Sequence, residues 1–163
     1  MHWFITGGCG FIGTNLVERL LKEDSNSSIT ILDTLSVGTR EDLSEVCKFK
    51  EIKHSDPIPL SDTNSVQLVI GDITDFEICF NSSKRHDIIV HLAANTGVPK
   101  SVEDPRKDFE VNVLGTFNMV EAARQNKVER FIFASSGAPL GEVELLFMTK
   151  KLQSQFHLMV RAN

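Results

Sequence analysis

The sequence predicts an α/β protein with a doubly wound parallel sheet. Strand-like and helix-like segments alternate along the chain, which is the pattern of such sheets. The segment 87–92 is apolar on both faces, as a buried parallel strand requires. A glycine-rich turn joins the first strand to the first helix. Together these features favour one domain whose ligand crevice lies at the carboxyl ends of the strands.

The turn after the first strand carries three glycines in the spacing G-x-x-G-x-x-G. Gly7 allows a tight turn, Gly10 lets a pyrophosphate approach the main chain, and Gly13 lets the helix pack close to the strand. The free N–H groups of the helix's first turn, near Phe11 and Ile12, are expected to face an anion. An ordinary glycine-rich turn is the alternative interpretation.

An acidic residue, Asp33, closes the next apolar run. Its carboxylate can accept hydrogen bonds from both ribose hydroxyls of an adenosine, as a dinucleotide-binding fingerprint requires. With the glycine turn, Asp33 favours dinucleotide binding over a structural turn. Because Asp33 would repel a 2′-phosphate, NAD is favoured over NADP. Arg40 is the nearest counter-argument, and we expect it to be a solvated charge.

The other elements follow from apolar periodicity and from end signals. We predict strands ending at Thr6 and over 28–33, 67–72, 87–92 and 129–135, and helices after the glycine turn and over 41–46, 75–81 and 104–125. Asp104 and Pro105 supply the N-cap and first residue of the longest helix. Residues 48–64 are polar and lack clear periodicity, so we predict a loop there. The strand ends carry Gly7, Asp33, Asp72, Ala93 and Ser135.

Composition limits what the protein does. The 163 residues suffice for one domain with a real core, and a net charge of −5 without a basic stripe argues against a nucleic-acid surface. No apolar run is long enough to span a membrane, and because the first strand begins within a few residues we expect no signal peptide. Cys9, Cys47 and Cys79 lack metal-ligand spacing, so we expect free thiols in a reducing cytoplasm and no metal.

Six motifs resemble those of the extended short-chain dehydrogenases/reductases, the family of NAD-dependent nucleotide-sugar epimerases and dehydratases. They occur in the family's order as TGGCGFIG at 6–13, DTLSVG at 33–38, GDI at 71–73, HLAA at 91–94, NVLGT at 112–116 and FASS at 133–136. The resemblance implies a Rossmann fold, NAD as the cofactor, and a nucleotide sugar such as a UDP-hexose as the substrate.

The resemblance also implies roles for individual residues. The residues implied to hold the pyrophosphate are Gly7, Gly10, Phe11, Ile12 and Gly13, and those implied to bind the adenosine ribose are Asp33, Thr34, Ser36 and Gly38. The adenine would contact Asp72 and Ile73, and the cofactor would pass over Leu92, Ala93 and Ala94. Asn112 would lie near the nicotinamide half, and Ser135 is implied as a further cofactor-binding residue. Ser136 matches the serine that hydrogen-bonds the sugar hydroxyl being oxidised, and it is the one catalytic residue assigned.

Taken without the family, several of these residues have other interpretations. Asp72 is then a turn residue, Asn112 an exposed polar residue on a helix, and Ser135 and Ser136 are hydrogen-bonding loop serines. We expect His91 to be a satisfied strand-end histidine without a catalytic role.

The family's chemistry needs a tyrosine as acid/base and a lysine four residues later, and this chain contains no tyrosine. We therefore expect an NAD-binding domain over 1–144 and an atypical tail over 145–163, with the family's C-terminal substrate domain absent. Residues 156–163 can be encoded by a DNA string that, when read two bases later, gives Ser-Pro-Tyr-Gly-Ala-Ser-Lys. This peptide contains the tyrosine and the lysine four residues later that the family uses. We interpret the tail as a frameshift product of a longer gene; a genuine terminal helix with an apolar stripe is the alternative.

Two functions stay open on this basis. The first is an NAD-dependent nucleotide-sugar epimerase by family, inactive as this truncated chain. The second is a non-catalytic NAD-binding module or nucleotide sensor. Because members of the family often pair through the helix equivalent to 104–125, a homodimer is an additional expectation.

Overall fold

The computed structural model describes residues 1–53 and 63–135, which form one parallel sheet covered by helices. The strands are β1 (His2–Thr6), β2 (Ser28–Asp33), β3 (Phe49–Ile52), β4 (Ser65–Ile70), β5 (Ile88–His91) and β6 (Arg130–Phe133). They lie in the order β3-β4-β2-β1-β5-β6, and every neighbouring pair is parallel. The predicted parallel sheet is confirmed.

Helices connect the strands, and three of them begin at a side-chain cap. The helices are α1 (Phe11–Glu23), α2 (Arg40–Val46), α3 (Phe76–Ser82), α4 (Val98–Glu103), α5 (Pro105–Phe109) and α6 (Thr116–Gln125), and a π-helical segment, Glu110–Gly115, joins α5 to α6. Thr39 and Asp42 form a capping box at α2, and the carboxylates of Asp75 and Asp104 cap α3 and α5.

Both faces of the sheet are covered, as a doubly wound sheet requires. On one face, Val17 of α1 and Leu43 of α2 belong to an apolar cluster with the strands. On the other face, Cys79 of α3 and Met119 of α6 belong to a second cluster. All four side chains are fully buried. Burial of apolar surface on both faces is the main force that holds the helices to the sheet.

Strand β1 is the switch point of the sheet. The chain passes from β1 to β2, β3 and β4 on one side, and then crosses to β5 and β6 on the other. β1 therefore pairs with β2 along one edge and with β5 along the other. Connections that leave in opposite directions open a crevice at the carboxyl ends of these strands. Thr6, Asp33 and His91 are the last residues of the three strands that border it.

The predicted loop over 48–64 is wrong in its first part, because Phe49–Ile52 forms the edge strand β3. Ile52 is buried in this strand, whereas Lys50 and Glu51 are exposed. Four residues with a single buried apolar side chain carry too little alternation to predict a strand. Residues 54–62 lie outside the described part of the chain.

The predicted helix over 104–125 is confirmed in extent, but it is not α-helical throughout, since the π-helical segment interrupts it. Helix α4 was not predicted. None of its residues is buried, so it has no apolar periodicity from which to infer a helix.

Several predictions concern residues outside the described ranges. Ser136 and the segment 145–163 are among them, so the domain division at 144 and the frameshift origin of the tail stay predictions. The three cysteines are free. Within residues 1–53 and 63–135, no helix combines the length and the apolar character needed to cross a bilayer.

Candidate functional site

Two glycines of the turn between β1 and α1 are required by the packing of the backbone itself. Gly7 has a φ of +68°, and a Cβ there would lie 2.8 Å from the Ala93 nitrogen. A Cβ on Gly13 would lie 2.5 Å from the Gly7 oxygen. Side chains essentially never approach backbone so closely, so the fold alone accounts for glycine at positions 7 and 13.

Gly10 differs from these two glycines. Its φ of −73° and ψ of 170° suit any residue, and a Cβ there would meet only the Gly7 oxygen, at 3.4 Å. Gly10 is the N-cap of α1, where no side chain caps the helix and no acidic residue stands in the first turn. Phe11 and Ile12, which begin α1, are 86% and 65% exposed. The N–H groups of this turn are available to an anion, which the helix dipole favours.

Asp33 joins the glycine turn to the loop after β2. Its Oδ2 accepts a hydrogen bond from the Cys9 N–H at 2.9 Å, and its Oδ1 accepts one from the Leu35 N–H at 2.8 Å. The residue is only 8% exposed. Since a carboxylate has about four lone-pair positions, both oxygens retain capacity for further donors such as ribose hydroxyls.

The loop 34–39 carries the three other predicted ribose contacts. Thr34 and Ser36 are exposed, and the Thr34 hydroxyl donates to the Ser36 hydroxyl at 2.9 Å. Gly38 is buried instead, and a Cβ there would overlap the Cys9 oxygen. Contact with the glycine turn therefore explains the glycine at position 38, whereas the two hydroxyls remain accessible to a ligand.

Arg40 is exposed to solvent, as the sequence predicted, and it is also paired. Its Nε donates to Glu51 Oε2 at 2.7 Å, and its Nη2 donates to Glu51 Oε1 at 3.1 Å. The partner lies on β3, the strand hidden in the predicted loop over 48–64. The sequence does not indicate this pairing, because residues 48–64 show no strand periodicity.

The turn after β4 contains the two residues predicted to meet an adenine. Asp72 Oδ1 accepts from the Thr74 N–H at 2.9 Å, which closes an Asx turn. Ile73 is 4% exposed and packs against Gly115 of the π-helical segment. The Asn118 amide donates to the Ile73 and Thr74 oxygens at 2.9 and 3.0 Å. Because the Ile73 side chain belongs to the core, a ligand contact at this residue falls to its backbone.

A buried hydroxyl fixes the carboxyl end of β5 against that of β1. Thr6 Oγ1 accepts from the Leu92 and Ala93 N–H groups, both at 3.2 Å, and lies 2.7 Å from His91 Nδ1. Because two N–H groups occupy its lone pairs, Thr6 donates its own proton to Nδ1. Nε2 then carries the ring hydrogen and donates to Thr116 Oγ1 at 3.1 Å. His91 is the satisfied strand-end histidine that the sequence predicted.

The segment predicted to pass under the cofactor runs along the same edge. Leu92 and Ala93 are half-buried, and Ala94 is exposed. The backbone of Ala93 lies directly against Gly7. The segment therefore continues the floor of the crevice from the glycine turn toward β6.

Asn112 lies in the π-helical segment, and its amide is engaged within the protein. Oδ1 accepts from the Asn95 N–H at 2.8 Å, while Nδ2 donates to the Asn95 oxygen at 2.9 Å and to Asp108 Oδ1 at 3.0 Å. The Ser101 hydroxyl also donates to Asp108 and, with Asn95 and Asn112, lowers the pKa of that carboxyl. These contacts make Asn112 a positioning residue for the loop after β5.

Of the two serines after β6, only Ser135 lies within the described residues. Ser135 is exposed, and the preceding residue Ala134 donates its N–H to the His91 oxygen at 3.2 Å. Strand pairing thus holds Ser135 at the carboxyl edge of the sheet. Ser136, the predicted catalytic residue, lies outside the described residues.

Three residues of this site escaped the sequence analysis. Thr6 offers a weak signal, because it is a polar residue closing an apolar strand beside the glycine turn. Asn95 and Asn118 offer none, since their partners lie 17 and 45 residues away. Such long-range polar pairs leave no periodicity in the sequence.

A depression of about 340 Å³ adjoins the site beside Asp72 and Thr74. The rest of its lining is mostly charged and comes from Asp104, Arg106, Lys107, Glu110 and Val111. No residue of the glycine turn borders it, so the candidate site is an open groove along the strand ends rather than this depression. In the described ranges, no three His, Cys, Asp or Glu side chains come together as metal ligands.

Six parallel strands, a glycine turn at the switch point and an acidic residue closing β2 define a Rossmann-like protein, the class that binds dinucleotides. A profile of the NAD dependent epimerase/dehydratase family matches residues 3–157. The chain belongs to this family.

Relatives in two enzyme groups resemble the chain. A dTDP-glucose 4,6-dehydratase of Mycolicibacterium smegmatis is 37% identical over 146 residues, which are 89% of this chain and 39% of that protein. A UDP-glucose 4-epimerase of the same organism is 36% identical over 138 residues, 84% of this chain and 39% of that protein.

The fold is similar to that of solved epimerases. The crystal structure of the UDP-glucose 4-epimerase of Thermus thermophilus in complex with NAD is 35% identical and superimposes with a TM-score of 0.67. The match covers 90% of this chain and 43% of that chain. The chain thus spans about two fifths of the length of the relatives it matches.

The buried histidine gives the fold a dependence on pH. Burial lowers the pKa of His91 to about 4, from an ordinary value of about 6.5. Between these values the unfolded chain binds more protons, so stability falls as the pH drops. We expect His91 to remove about 1.5–2 kcal/mol of unfolding free energy between pH 7 and pH 5. Urea unfolding at both pH values measures this loss.

His91→Asn separates this contribution from that of His86, whose pKa burial also lowers to about 4. The variant should keep only the part of the pH dependence that His86 supplies. The same loss of stability in the variant and the unsubstituted protein would contradict the assignment to His91.

Proposed function

We propose that this chain binds NAD along the carboxyl edge of the sheet, with the pyrophosphate over Gly10 and the adenosine ribose on Asp33. The observation that supports this proposal most strongly is the glycine at position 10. Packing requires glycine at positions 7 and 13, but no contact within the described part of the chain requires it at position 10, where the backbone is ordinary and a Cβ has room. Close approach of a ligand to the main chain accounts for a glycine there.

The charges of the groove favour NAD over NADP in this proposal. Asp33 is buried and places its carboxylate between the glycine turn and the loop 34–39. Ribose hydroxyls can donate to it, whereas a 2′-phosphate would bring negative charge against it. The Thr34 and Ser36 hydroxyls supply further hydrogen bonds at the same ribose.

The remaining contacts extend the proposed path of the cofactor. The Asp72–Ile73 turn receives the adenine through its backbone, and Leu92, Ala93 and Ala94 pass below the dinucleotide toward Ser135. Asn112 acts on this path by fixing Asn95 rather than by direct contact. NAD supplies hydride acceptance when bound, and the chain's own residues orient it and shape the groove.

The relatives direct the proposal for the substrate. UDP-glucose 4-epimerases and dTDP-glucose 4,6-dehydratases are both named for hexoses joined to a nucleoside diphosphate. We propose a UDP-hexose as the substrate of the lineage, with UDP-glucose 4-epimerase as its nearest activity and Ser136 at the sugar hydroxyl. Since the 163 residues contain no tyrosine to serve as the acid/base, the chain by itself is proposed to bind NAD without turnover.

Replacing Gly10 with alanine tests the NAD site. The added methyl group fits the protein, so the unfolding free energy should stay within about 0.5 kcal/mol of that of the unsubstituted chain. The methyl group stands where the pyrophosphate approaches, so NAD affinity should fall at least about tenfold. Isothermal titration with NAD⁺ and with NADP⁺ measures both the affinity and the preference.

Ser25→Ala is the matched control, because Ser25 is exposed beyond the opposite end of α1. Its NAD affinity should equal that of the unsubstituted chain. Absence of NAD⁺ binding by the unsubstituted chain would overturn the proposed function. Equal NAD⁺ affinities of Gly10→Ala and the control would contradict the placement of the pyrophosphate over Gly10.

The absence of tyrosine yields a second prediction. The purified 163-residue chain, supplied with NAD⁺ and UDP-glucose, should form no UDP-galactose above a protein-free blank. Chromatographic separation of the two sugar nucleotides measures the conversion. Sustained formation of UDP-galactose would contradict the non-catalytic assignment and require another acid/base in this chain.

A homodimer is proposed from an apolar face of the long helix. Phe109, Val113 and Phe117 follow one another at helical spacing and are 58%, 54% and 62% exposed. Exposed apolar side chains arranged in a row favour association, and a second copy can present the same row in a twofold interface.

Light scattering tests this assembly. The unsubstituted chain should have a dimer's mass, and Phe117→Asp should shift it to the monomer's mass because a charge would be buried at the interface. Val37→Asp is the control, since Val37 is 81% exposed and belongs to the loop 34–39 rather than to the helical row. A monomer at high protein concentration would contradict the dimer.

A further inference from the structure

Arg40 follows the loop that is proposed to bind the ribose. It is the first residue of α2, directly after the loop 34–39. Two residues earlier, Gly38 is packed against the Cys9 oxygen so closely that a Cβ would overlap it. The Cys9 N–H is itself bound to Asp33. The start of α2 is therefore tied to the glycine turn and to the carboxylate proposed to hold the ribose.

The charge of Arg40 acts on this region. Burial raises the pKa of the Cys9 thiol to about 12, together with nearby negative charge from Asp33, and the Arg40 guanidinium opposes that rise. The contact of Gly38 with the Cys9 oxygen holds the start of α2, and with it Arg40, near the glycine turn. An arginine at this place is the type of residue that accommodates a 2′-phosphate in NADP-binding relatives of the fold.

The carboxylate of Glu51 accepts two hydrogen bonds from the Arg40 guanidinium. Oε2 accepts from Nε at 2.7 Å and Oε1 accepts from Nη2 at 3.1 Å, which is the paired geometry that an arginine also offers to phosphate. The two side chains are 48% and 43% exposed, so the pair lies at the surface where a ligand can reach it. The hydrogen bonds from Arg40 lower the pKa of Glu51, which keeps this carboxyl ionised.

We propose that Glu51 is a specificity-determining residue, which excludes NADP by holding the Arg40 guanidinium that a 2′-phosphate would need. This inference rests on the proposed NAD site. A 2′-phosphate brings close to two negative charges to a site that already contains Asp33. With Glu51 bound, Arg40 adds no net positive charge, and its bidentate donors are occupied. NAD carries a ribose hydroxyl at this position, so its binding needs neither a positive charge nor the donors of Arg40.

The alternative is that the pair only fastens α2 to β3. A fastening role would change stability and leave the ratio of NADP⁺ to NAD⁺ affinity unaltered. The specificity role changes that ratio and requires Arg40 for the change. The two roles therefore differ in a quantity that is independent of folding.

Glu51→Gln provides the test, with the 163-residue chain titrated calorimetrically with NAD⁺ and with NADP⁺ at low salt. The variant should bind NADP⁺ about tenfold more tightly than the unsubstituted chain, because the guanidinium becomes free for a charge-assisted bond. NAD⁺ affinity should stay within about twofold. Adding Arg40→Met to Glu51→Gln should abolish the gain. Glu51→Thr, which suits an edge strand, serves if the glutamine variant is unstable.

Glu41→Gln is the matched control. Glu41 lies next to Arg40 in the first turn of α2 and is exposed. Its substitution removes the same charge from the same region without releasing the paired guanidinium. It should change NADP⁺ affinity by less than about threefold, the effect of an exposed charge.

The outcomes separate this inference from the proposed function. If the unsubstituted chain binds no NAD⁺, the proposed function and this inference both fall. If it binds NAD⁺ but Glu51→Gln and Glu51→Thr leave the affinity ratio unchanged, this inference alone is overturned. The inference is also overturned if Glu41→Gln raises NADP⁺ affinity as much as Glu51→Gln does. It is overturned as well if the raised NADP⁺ affinity persists in the double variant that carries Arg40→Met.

Discussion

The carboxylate of Asp33 is the interaction on which the candidate site depends. It binds one N–H on the glycine turn and one on the loop after β2, so a single side chain sets the distance between two segments. The second N–H belongs to Leu35, whose φ of 58° is uncommon for a leucine. Gly38 then closes the same loop onto the glycine turn. Asp33 therefore shapes the groove as well as contributing charge to it, and its substitution would alter both properties together.

Much of the fold was predictable from local sequence, because buried parallel strands are apolar throughout and caps mark where helices begin. Strand β5 and the carboxylate cap of α5 illustrate the two signals. Prediction failed where packing rather than pattern decides the structure. Strand β3 exists because β4 offers it a paired edge, and α4 has no buried residue to mark it.

The position of the site was also predictable, since parallel strands end at one edge of a sheet and polar residues closed several of them. The hydrogen-bond partners were not predictable. Asn112 suggested a ligand contact from sequence, yet its amide binds Asn95 and Asp108. Arg40 is the solvated charge that the sequence suggested, but its partner Glu51 comes from a strand that carried no signal. Such pairs form only after the chain has folded, so no local pattern encodes them.

The π-helical segment Glu110–Gly115 determines how the long helix meets the sheet. Before it ends, Asn112 reaches the loop after β5; beyond it, Thr116 reaches His91 and Asn118 reaches the turn after β4. Its hydrogen bonds span five residues, so the segment holds more residues per turn than the helices beside it. Deleting one residue here would rotate α6 by about 100° relative to α5. The evolutionary consequence is that a change of length in this stretch, unlike one in a surface loop, would displace every contact that α6 makes with the sheet.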